Sequence, residues 1–219
     1  MKIFLLMTML CVSSFGATIT QTSVGGASIP DNDPAGTTVD LVFADTRLIT
    51  GNLTVTINSL VHPYIGDLTA TITHVDTGTT ISLFQRPGRT TVGSGCGARF
   101  NGNYTFSDAG AVTLGASCVV GADVAGGTFR ASADSGASDE LAVILSSAFN
   151  GQTAGGTWRL FLSDRLGLDT GAFGSFTLQA DVPGGANPEP GTVILVVGGL
   201  GVMGWVRRRG RSCGWNFRG

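Results

Sequence analysis

The alternation that decides the fold runs through Leu53-Thr54-Val55-Thr56-Ile57-Asn58 and then through Leu68-Thr69-Ala70-Thr71-Ile72-Thr73. Apolar and polar side chains change places at every step in both stretches, which is the period of a β-strand with one buried and one exposed face. The segment between them, His62-Pro63-Tyr64-Ile65-Gly66-Asp67, carries the proline and glycine of a turn. The sequence therefore predicts two strands separated by a turn.

Further short segments repeat this period of two, and turns separate them. The apolar positions that predict these strands are Val39, Leu41, Phe43, Ile81, Leu83, Phe100, Tyr104, Phe106, the run 141–145, Trp158, Leu160, Leu162, Phe176, Leu178 and Ala180. Outside the two ends of the chain no segment has a convincing helical period. The pattern predicts an all-β single domain, a β-sandwich or jelly roll.

Composition supports this fold class and argues against a nucleic-acid surface. The 219 residues include 34 glycines, and only 13% of the residues are charged. The acids are almost all Asp, which favours turns, whereas the helix-favouring Glu occurs only at Glu140 and Glu189. Five of the 13 basic residues lie in the last 13 positions, so the rest of the chain is distinctly acidic.

Both ends of the chain have the properties of targeting segments. Lys2 is followed by the apolar run 3–12 and by the small residues Ser14 and Gly16, so residues 1–16 are predicted to be an export signal cleaved before Ala17. The predicted domain covers 17–182. A linker at 183–191, an apolar membrane segment at 192–206 and a basic cytoplasmic tail at 207–219 are predicted to follow it.

The apolar run 192–206 is short for a membrane helix. Its 15 residues would reach about 22 Å as a helix, against a hydrocarbon core of about 30 Å. The arginines after it are expected to stay in the cytoplasm, which places the domain on the other side of the inner membrane.

Export decides how the cysteines are interpreted. Cys11 lies in the predicted signal and Cys213 lies beyond the basic block, which leaves Cys96 and Cys118 in the domain. In an oxidising compartment this pair predicts a disulfide. A metal site at these residues is less favoured, because neither a CxxC motif nor a neighbouring histidine is present.

The C-terminal segment resembles the PEP-CTERM sorting signal of exported bacterial proteins. The resemblance rests on Pro188-Glu189-Pro190, the glycine-rich apolar span, and Arg207-Arg208-Arg209. It covers roughly residues 187–211, although the extra tail 212–219 departs from the usual pattern. The resemblance implies recognition by a membrane exosortase, cleavage near the motif, and retention at or release from the surface of a bacterium that makes exopolysaccharide.

The middle of the chain resembles the P domain, also called homo B, that follows the catalytic domain in kexin- and furin-like proprotein convertases. The carrying residues are Ile29-Pro30-Asp31-Asn32, the stretch 61–68, Asp76-Thr77-Gly78-Thr79, Phe149-Asn150-Gly151, Gly156-Thr157-Trp158-Arg159-Leu160, Asp164 and Gly171. The resemblance covers residues 29 to about 180, with a longer and more glycine-rich segment at 89–140 than that family has. It implies a β-sandwich or jelly roll of the galactose-binding-like type, without the catalytic domain of the convertases.

No motif in the chain predicts catalysis. The predicted domain 17–182 contains neither a G-x-S-x-G nucleophile elbow nor a phosphate-binding loop, and neither His62 nor His74 has a recognisable nucleophile beside it. Calcium is the one cofactor considered, because the resemblance places Asp67 and Asp164 at motif positions and hard cations prefer clustered carboxylate oxygens. The alternative is that these carboxylates cap turns.

The expected function is that of an exported, non-catalytic interaction or structural protein of the bacterial envelope or extracellular matrix. One alternative is a carbohydrate-binding module for exopolysaccharide, for which Tyr64, Tyr104 and Phe84 are the candidate exposed aromatics. The other alternative is an accessory domain that acts in trans with a subtilisin-like protease. The expected partners are an exosortase, envelope or exopolysaccharide components and, transiently, the inner membrane; nucleic acid is not expected.

Overall fold

The computed structural model describes residues 16–89, 93, 95–134 and 140–184. The chain divides into two compact units, and the unit Phe15–Gly184 contains all of these residues. The other unit, Met1–Ser14 with Gly185–Gly219, lies outside them. The predicted export signal (Gly16 apart), membrane segment and basic tail are therefore not described.

Strands make up most of the described unit. Their bounds in chain order are β1 Gly16–Thr22, β2 Ala27–Ile29, β3 Thr37–Phe43, β4 Leu53–His62, β5 Leu68–His74, β6 Thr79–Gln85, β7 Arg99–Phe106, β8 Asp123–Val124, β9 Gly127–Phe129, β10 Ser132–Ala133, β11 Leu141–Ala142, β12 Gly156–Asp164, β13 Gly171–Phe173 and β14 Ser175–Pro183. One short helix, α1 Leu145–Phe149, and two 3-10 turns, Ile65–Asp67 and Gly115–Ser117, accompany them.

The strands form two main sheets. The smaller sheet is antiparallel in the order β3-β12-β5-β6. In the larger sheet β4 is central: β14 and β13 pair with successive parts of one edge, and β1 and β2 lie outside them. On the other edge of β4 lies β7, which pairs in parallel with β8 and β9. A separate hairpin is formed by β10 and β11.

The core lies between the two sheets. Phe84 of the smaller sheet packs against Phe100 and Phe106 of the larger one, with ring centroids 5.6 and 5.5 Å apart. Trp158 is fully buried, as the sequence predicts, and its indole N–H donates to the carbonyl of Ala154 at 3.0 Å. The prediction of an all-β sandwich is confirmed.

The sequence misses two features of this fold. The polar segment after residue 16 contains β1 and β2; β1 is an edge strand whose side chains are mostly exposed, so it has little apolar alternation to detect. The predicted strand at 141–145 is only partly right. Its first two residues form β11, and Leu145 already begins the five-residue α1. Asp108 holds that helix start, accepting from the N–H groups of Leu145 and Ser146 at 2.7 and 3.0 Å.

The chain passes from the larger sheet to the smaller one at the turn between β4 and β5. This turn is the segment 63–67, which we call the corner turn. The ends of β6 and β12 lie beside it, since Leu68 pairs with Asp164 and Thr69 with Gln85. The predicted residues Asp67, Asp164 and Cys96 all lie in or next to the corner turn.

Candidate functional site

The corner turn is built by backbone contact with the segment before β7. Ile65 N–H donates to the Ala98 carbonyl at 2.9 Å, and Gly66 N–H donates to the Cys96 carbonyl at 3.0 Å. A Cβ on Gly66 would lie 2.3 Å from the backbone nitrogen of Cys96. Glycine is therefore required here by the close approach of two backbones and not by a left-handed conformation.

The predicted disulfide lies against the same turn. Cys96 and Cys118 are bonded, with their Cα atoms 6.1 Å apart, so the prediction is confirmed. Cys96 N–H also donates to the Pro87 carbonyl at 2.7 Å, which ties the segment after β6 to this cluster. The bridge closes a loop of 22 residues in sequence separation, and such a link stabilises a fold by about 3 kcal/mol in the chain-entropy model.

One of the predicted residues, Asp164, lies against His62 inside the protein. His62 Nε2 lies 3.1 Å from Asp164 Oδ2, and both side chains are fully shielded from solvent. The other ring nitrogen, Nδ1, lies 2.8 Å from the carbonyl oxygen of Tyr64. Asp164 Oδ1 accepts from the N–H of Leu166 at 3.0 Å. Both carboxylate oxygens of Asp164 are thus engaged inside the protein.

Asp67 lies close to this pair but has a different environment. The residue is 4% exposed, and its Oδ1 is buried without a hydrogen-bond partner. Burial raises the pKa of the Asp67 carboxyl above its usual 3.8, and the charge of Asp164 raises it further, while His62 and Arg86 oppose the shift. The expectation that Asp67 accepts backbone N–H bonds in its turn is therefore wrong for Oδ1. The local geometry offers that atom no donor.

The calcium prediction is neither confirmed nor excluded by this arrangement. Calcium takes about six to eight oxygen ligands, whereas among residues 16–89, 93, 95–134 and 140–184 no group of three His, Cys, Asp or Glu side chains is placed to hold a metal ion. Asp67 Oδ1 is the one carboxylate oxygen of the predicted pair that is buried without a partner. The described side chains alone thus supply too few oxygens, and calcium binding stays a prediction.

A depression of about 450 Å³ lies on one side of the corner turn, lined by residues that include Val61, His62, Pro63 and Arg99. Two side chains of this depression donate to the same carboxylate, that of Asp123. Arg99 Nε donates to Asp123 Oδ1 at 2.7 Å, and Asn101 Nδ2 donates to Asp123 Oδ2 at 3.0 Å. These hydrogen bonds, that of Asn101 first, hold the pKa of the Asp123 carboxyl below its usual value.

The aromatic residues proposed for sugar stacking are mostly in the core. Phe84 and Tyr104 are 0% exposed, so their prediction as surface aromatics is wrong. Tyr104 packs edge-on against Phe100, and its hydroxyl donates to the Val124 carbonyl at 2.9 Å. Tyr64 alone of the three is exposed, at 45%.

The second histidine lies at the other end of β5 from the corner turn. His74 is fully buried and stacks on Trp158 with ring centroids 4.5 Å apart. Its Nε2 lies 3.1 Å from the Gly155 carbonyl. These contacts are those of a core residue. The two histidines are therefore separated and do not form one site.

The predicted sorting residues Pro188, Glu189, Pro190, Arg207, Arg208 and Arg209 lie outside the described residues. The described part of the chain holds no helix that is long and apolar enough to cross a membrane. The predicted membrane segment 192–206 also lies outside it.

Comparison with protein families bears directly on these residues. The family model of the PEP-CTERM protein-sorting motif matches residues 188–211. The chain carries a PEP-CTERM protein-sorting motif. The match spans the predicted proline-glutamate-proline triplet, the apolar run and the arginines, so this resemblance is confirmed.

The other comparisons add little. No curated protein matches the chain. A crystal structure of an Aeromonas sobria serine protease with its chaperone matches at 18% identity, covering 77% of this chain and 27% of that one, with a TM-score of 0.44. A second Aeromonas sobria serine protease structure matches at 17% identity, covering 76% and 27%, with a TM-score of 0.42. The chain thus spans about a quarter of those proteins, and a likeness this weak says nothing about function. The P-domain resemblance stays a prediction.

Sequence reasoning missed the arginines beside the corner turn. Arg86 and Arg165 each directly follow a strand, β6 and β12, and Arg89 lies three residues beyond Arg86. The register of β5 with both strands brings these strand ends together. The pairing of β5 with β12 joins residues far apart in sequence, such as Leu68 and Asp164, and cannot be derived from local pattern.

We expect Gly66→Ala to destabilise the protein by at least about 2 kcal/mol, because the new methyl would overlap backbone atoms that cannot move aside. Chemical denaturation of the oxidised protein measures this. Gly25→Ala is the matched control, since a Cβ there meets nothing within 4 Å. Equal stability of the two variants would show that the backbones are not in close contact.

We expect Asp67→Asn to stabilise the protein at neutral pH. The raised pKa means that the folded state holds the Asp67 proton more tightly than the unfolded state does. The contribution of Asp67 to the free energy of unfolding is therefore greatest below the usual pKa of 3.8. This contribution is lost as pH rises through the pKa of Asp67 in the folded state. The amide carries no charge, so the gain in melting temperature should appear at neutral pH and disappear below about pH 3.8.

Melting curves of wild type and Asp67→Asn between pH 3 and pH 8 test this expectation. Asp31→Asn is a suitable control, because Asp31 is an exposed carboxylate outside the corner turn. A variant less stable than wild type at neutral pH would mean that the ionised carboxylate is needed there.

Proposed function

We propose that this chain is an exported, non-catalytic interaction protein, delivered by an exosortase-type system to the bacterial envelope or the extracellular matrix. The observation that supports this most is the PEP-CTERM motif at residues 188–211, which follows a closed β-sandwich ending at residue 184. In this proposal the sandwich is first held outside the inner membrane by the apolar run. It reaches the surface when the tail is cut.

The described groups nearest to catalytic chemistry support a non-catalytic role. The side chain of His62 is fully buried, and its two ring nitrogens lie against Asp164 Oδ2 and the carbonyl oxygen of Tyr64. A general base must reach the proton that it abstracts from a substrate or nucleophile. An imidazole whose two ring nitrogens are both engaged inside the protein is better suited to packing.

One contact favours the alternative of a carbohydrate-binding module. The Tyr64 ring lies beside Gly97, where a Cβ would come within 3.2 Å of a ring carbon. The half-exposed ring therefore rests on a surface without a side chain and offers a face to solvent. A single aromatic platform of this kind is a minimal sugar-stacking element. The alternative of a domain acting in trans with a protease has no supporting contact among the described residues.

The delivery proposal is tested by replacing Pro188-Glu189-Pro190 with three alanines. In cells that contain an exosortase we expect the wild-type protein to lose its C-terminal peptide and the variant to keep it, because the recognition element is gone. Peptide mapping of the C-terminus by mass spectrometry, together with fractionation of the cells, measures both outcomes.

Asn187→Ala is the matched control, since Asn187 lies one residue before the matched motif and should leave processing unchanged. Recovery of Gly219 as the sole C-terminus of the wild-type protein, in cells with an active exosortase, would contradict the delivery proposal.

A further inference from the structure

A second depression, of about 350 Å³, lies at the end of the smaller sheet next to the corner turn. We call it the arginine pocket, and it is lined by Thr69, Gln85, Arg86, Arg89, Asp134 and Arg165. Three strands of the smaller sheet supply most of this lining. Thr69 lies near the start of β5, Gln85 and Arg86 lie at the end of β6, and Arg165 directly follows β12. Three arginine side chains thus line one concave surface at the end of this sheet.

This group of positive side chains lies in a domain whose net charge is negative. Residues 16–184 contain seven arginines, no lysine and fourteen carboxylates. Three of the seven arginines nevertheless line one pocket, and among the described residues its lining includes a single carboxylate, that of Asp134. Burial lowers the pKa of Arg86, and the like charge of Arg89 lowers it further. A positive site in an acidic domain attracts anions selectively to that place.

The pocket also contains N–H groups that have no acceptor within the described part of the chain. Arg89 Nη2 pairs with Asp134 Oδ2 at 2.7 Å, but Arg89 Nε is buried without an acceptor. The side chain of Arg165 is exposed and has no acceptor among the described residues. A buried donor without a partner costs free energy. A bound acceptor would relieve that cost.

Arg86 is held in position while part of its guanidinium stays available. Its Nε donates to the Gly66 carbonyl at 3.2 Å and its Nη2 to the Gly93 carbonyl at 3.1 Å. Its backbone has φ +46° directly before Pro87, where left-handed and helical conformations are both disfavoured. The surrounding contacts therefore impose a conformation that Arg86 would not adopt alone, and they fix its direction before any ligand arrives.

These features select one class of ligand. Guanidinium groups bind planar or tetrahedral oxyanions through paired N–H donors, and charge-assisted bonds of this kind are the strong ones. Gln85 and Thr69 add neutral polar groups at the rim. The depression beside Arg99 is not comparable, because it contains one arginine, and the carboxylate of Asp123 accepts from both Arg99 Nε and Asn101 Nδ2.

We propose that the arginine pocket binds an oxyanion, a carboxylate or phosphate group carried by a ligand outside the cell. Arg86 and Arg89 form the fixed part of the site, and Arg165 completes it from the end of β12. The inference deepens the interaction role proposed above and rests on it, since it names the chemistry that the displayed domain recognises.

Isothermal titration calorimetry of the detergent-solubilised full chain, at low ionic strength, tests the site with two probes, inorganic phosphate and galacturonate. We expect saturable binding of at least one probe, and none of neutral galactose. Arg165→Gln should weaken the affinity about tenfold, the effect of losing one charge-assisted contact. Tighter binding of galacturonate would assign a carboxylate ligand, and tighter binding of phosphate would assign a phosphate.

Arg130→Gln is the matched control. Arg130 is exposed, lies outside the pocket lining and, like Arg165, makes no side-chain bond within the described residues. Its loss should change the affinity less than twofold. Absence of saturable binding for both probes, or equal weakening by the two variants, overturns the proposal. If the wild-type chain binds a probe through Arg165 but is never processed at its tail, the delivery proposal fails and the oxyanion site stands.

Discussion

The close approach of the Gly66 and Cys96 backbones is the constraint on which this end of the molecule depends. The chain leaves the larger sheet at the end of β4 and enters the smaller sheet at Leu68. A corner this short is possible because Gly66 has no side chain, so its N–H reaches the Cys96 carbonyl directly. The disulfide fixes Cys96 to the loop that follows β7. The two layers of the sandwich are thus joined by backbone hydrogen bonds at a place where no side chain fits.

The electrostatics of the site follow from that corner. The turn buries His62 and Asp67 and sets them beside Asp164, so two carboxylates and an imidazole share a region with little solvent. Such a group is costly unless each charge is paired. Both oxygens of Asp164 have hydrogen-bond partners, whereas Asp67 Oδ1 has none among the described residues, and the raised pKa of Asp67 reflects the burial of its carboxyl. Arg86 links the corner to the arginine pocket, because it donates to the Gly66 carbonyl and lowers the pKa of Asp67 by its charge. A ligand anion at Arg86 would compete for this same charge.

Local sequence pattern predicts the parts of this structure that depend on local physics. The alternation at 53–58 and 68–73, the turn between them and the burial of Trp158 all follow from side-chain period and size. The disulfide follows from export and from the two cysteines left in the domain. Strand pairing is different, since it joins β5 to β12 across about ninety residues and decides that Arg165 lies beside Arg86. Phe84 shows the same limit: it directly follows Leu83, so alternation places one of the two outside, whereas the register shift between β5 and β6 accompanies the burial of both. Tyr104 differs, because it shares one face of β7 with Phe100 and Phe106, and its burial follows from that alternation.

Delivery and recognition occupy separate parts of the chain, and the fold explains why they can. The last core side chain is Val182, which is fully buried and pairs with Ala17. The sorting motif begins six positions later, at Pro188. Cleavage near the motif would therefore remove no core side chain and break no strand pairing of the described unit. The hydrogen bonds described for the corner turn and the described lining of the arginine pocket lie within residues 62–165. A domain whose binding groups are far in sequence from its tail keeps them after the tail is removed. A domain displayed by cleavage of its anchor must have this property.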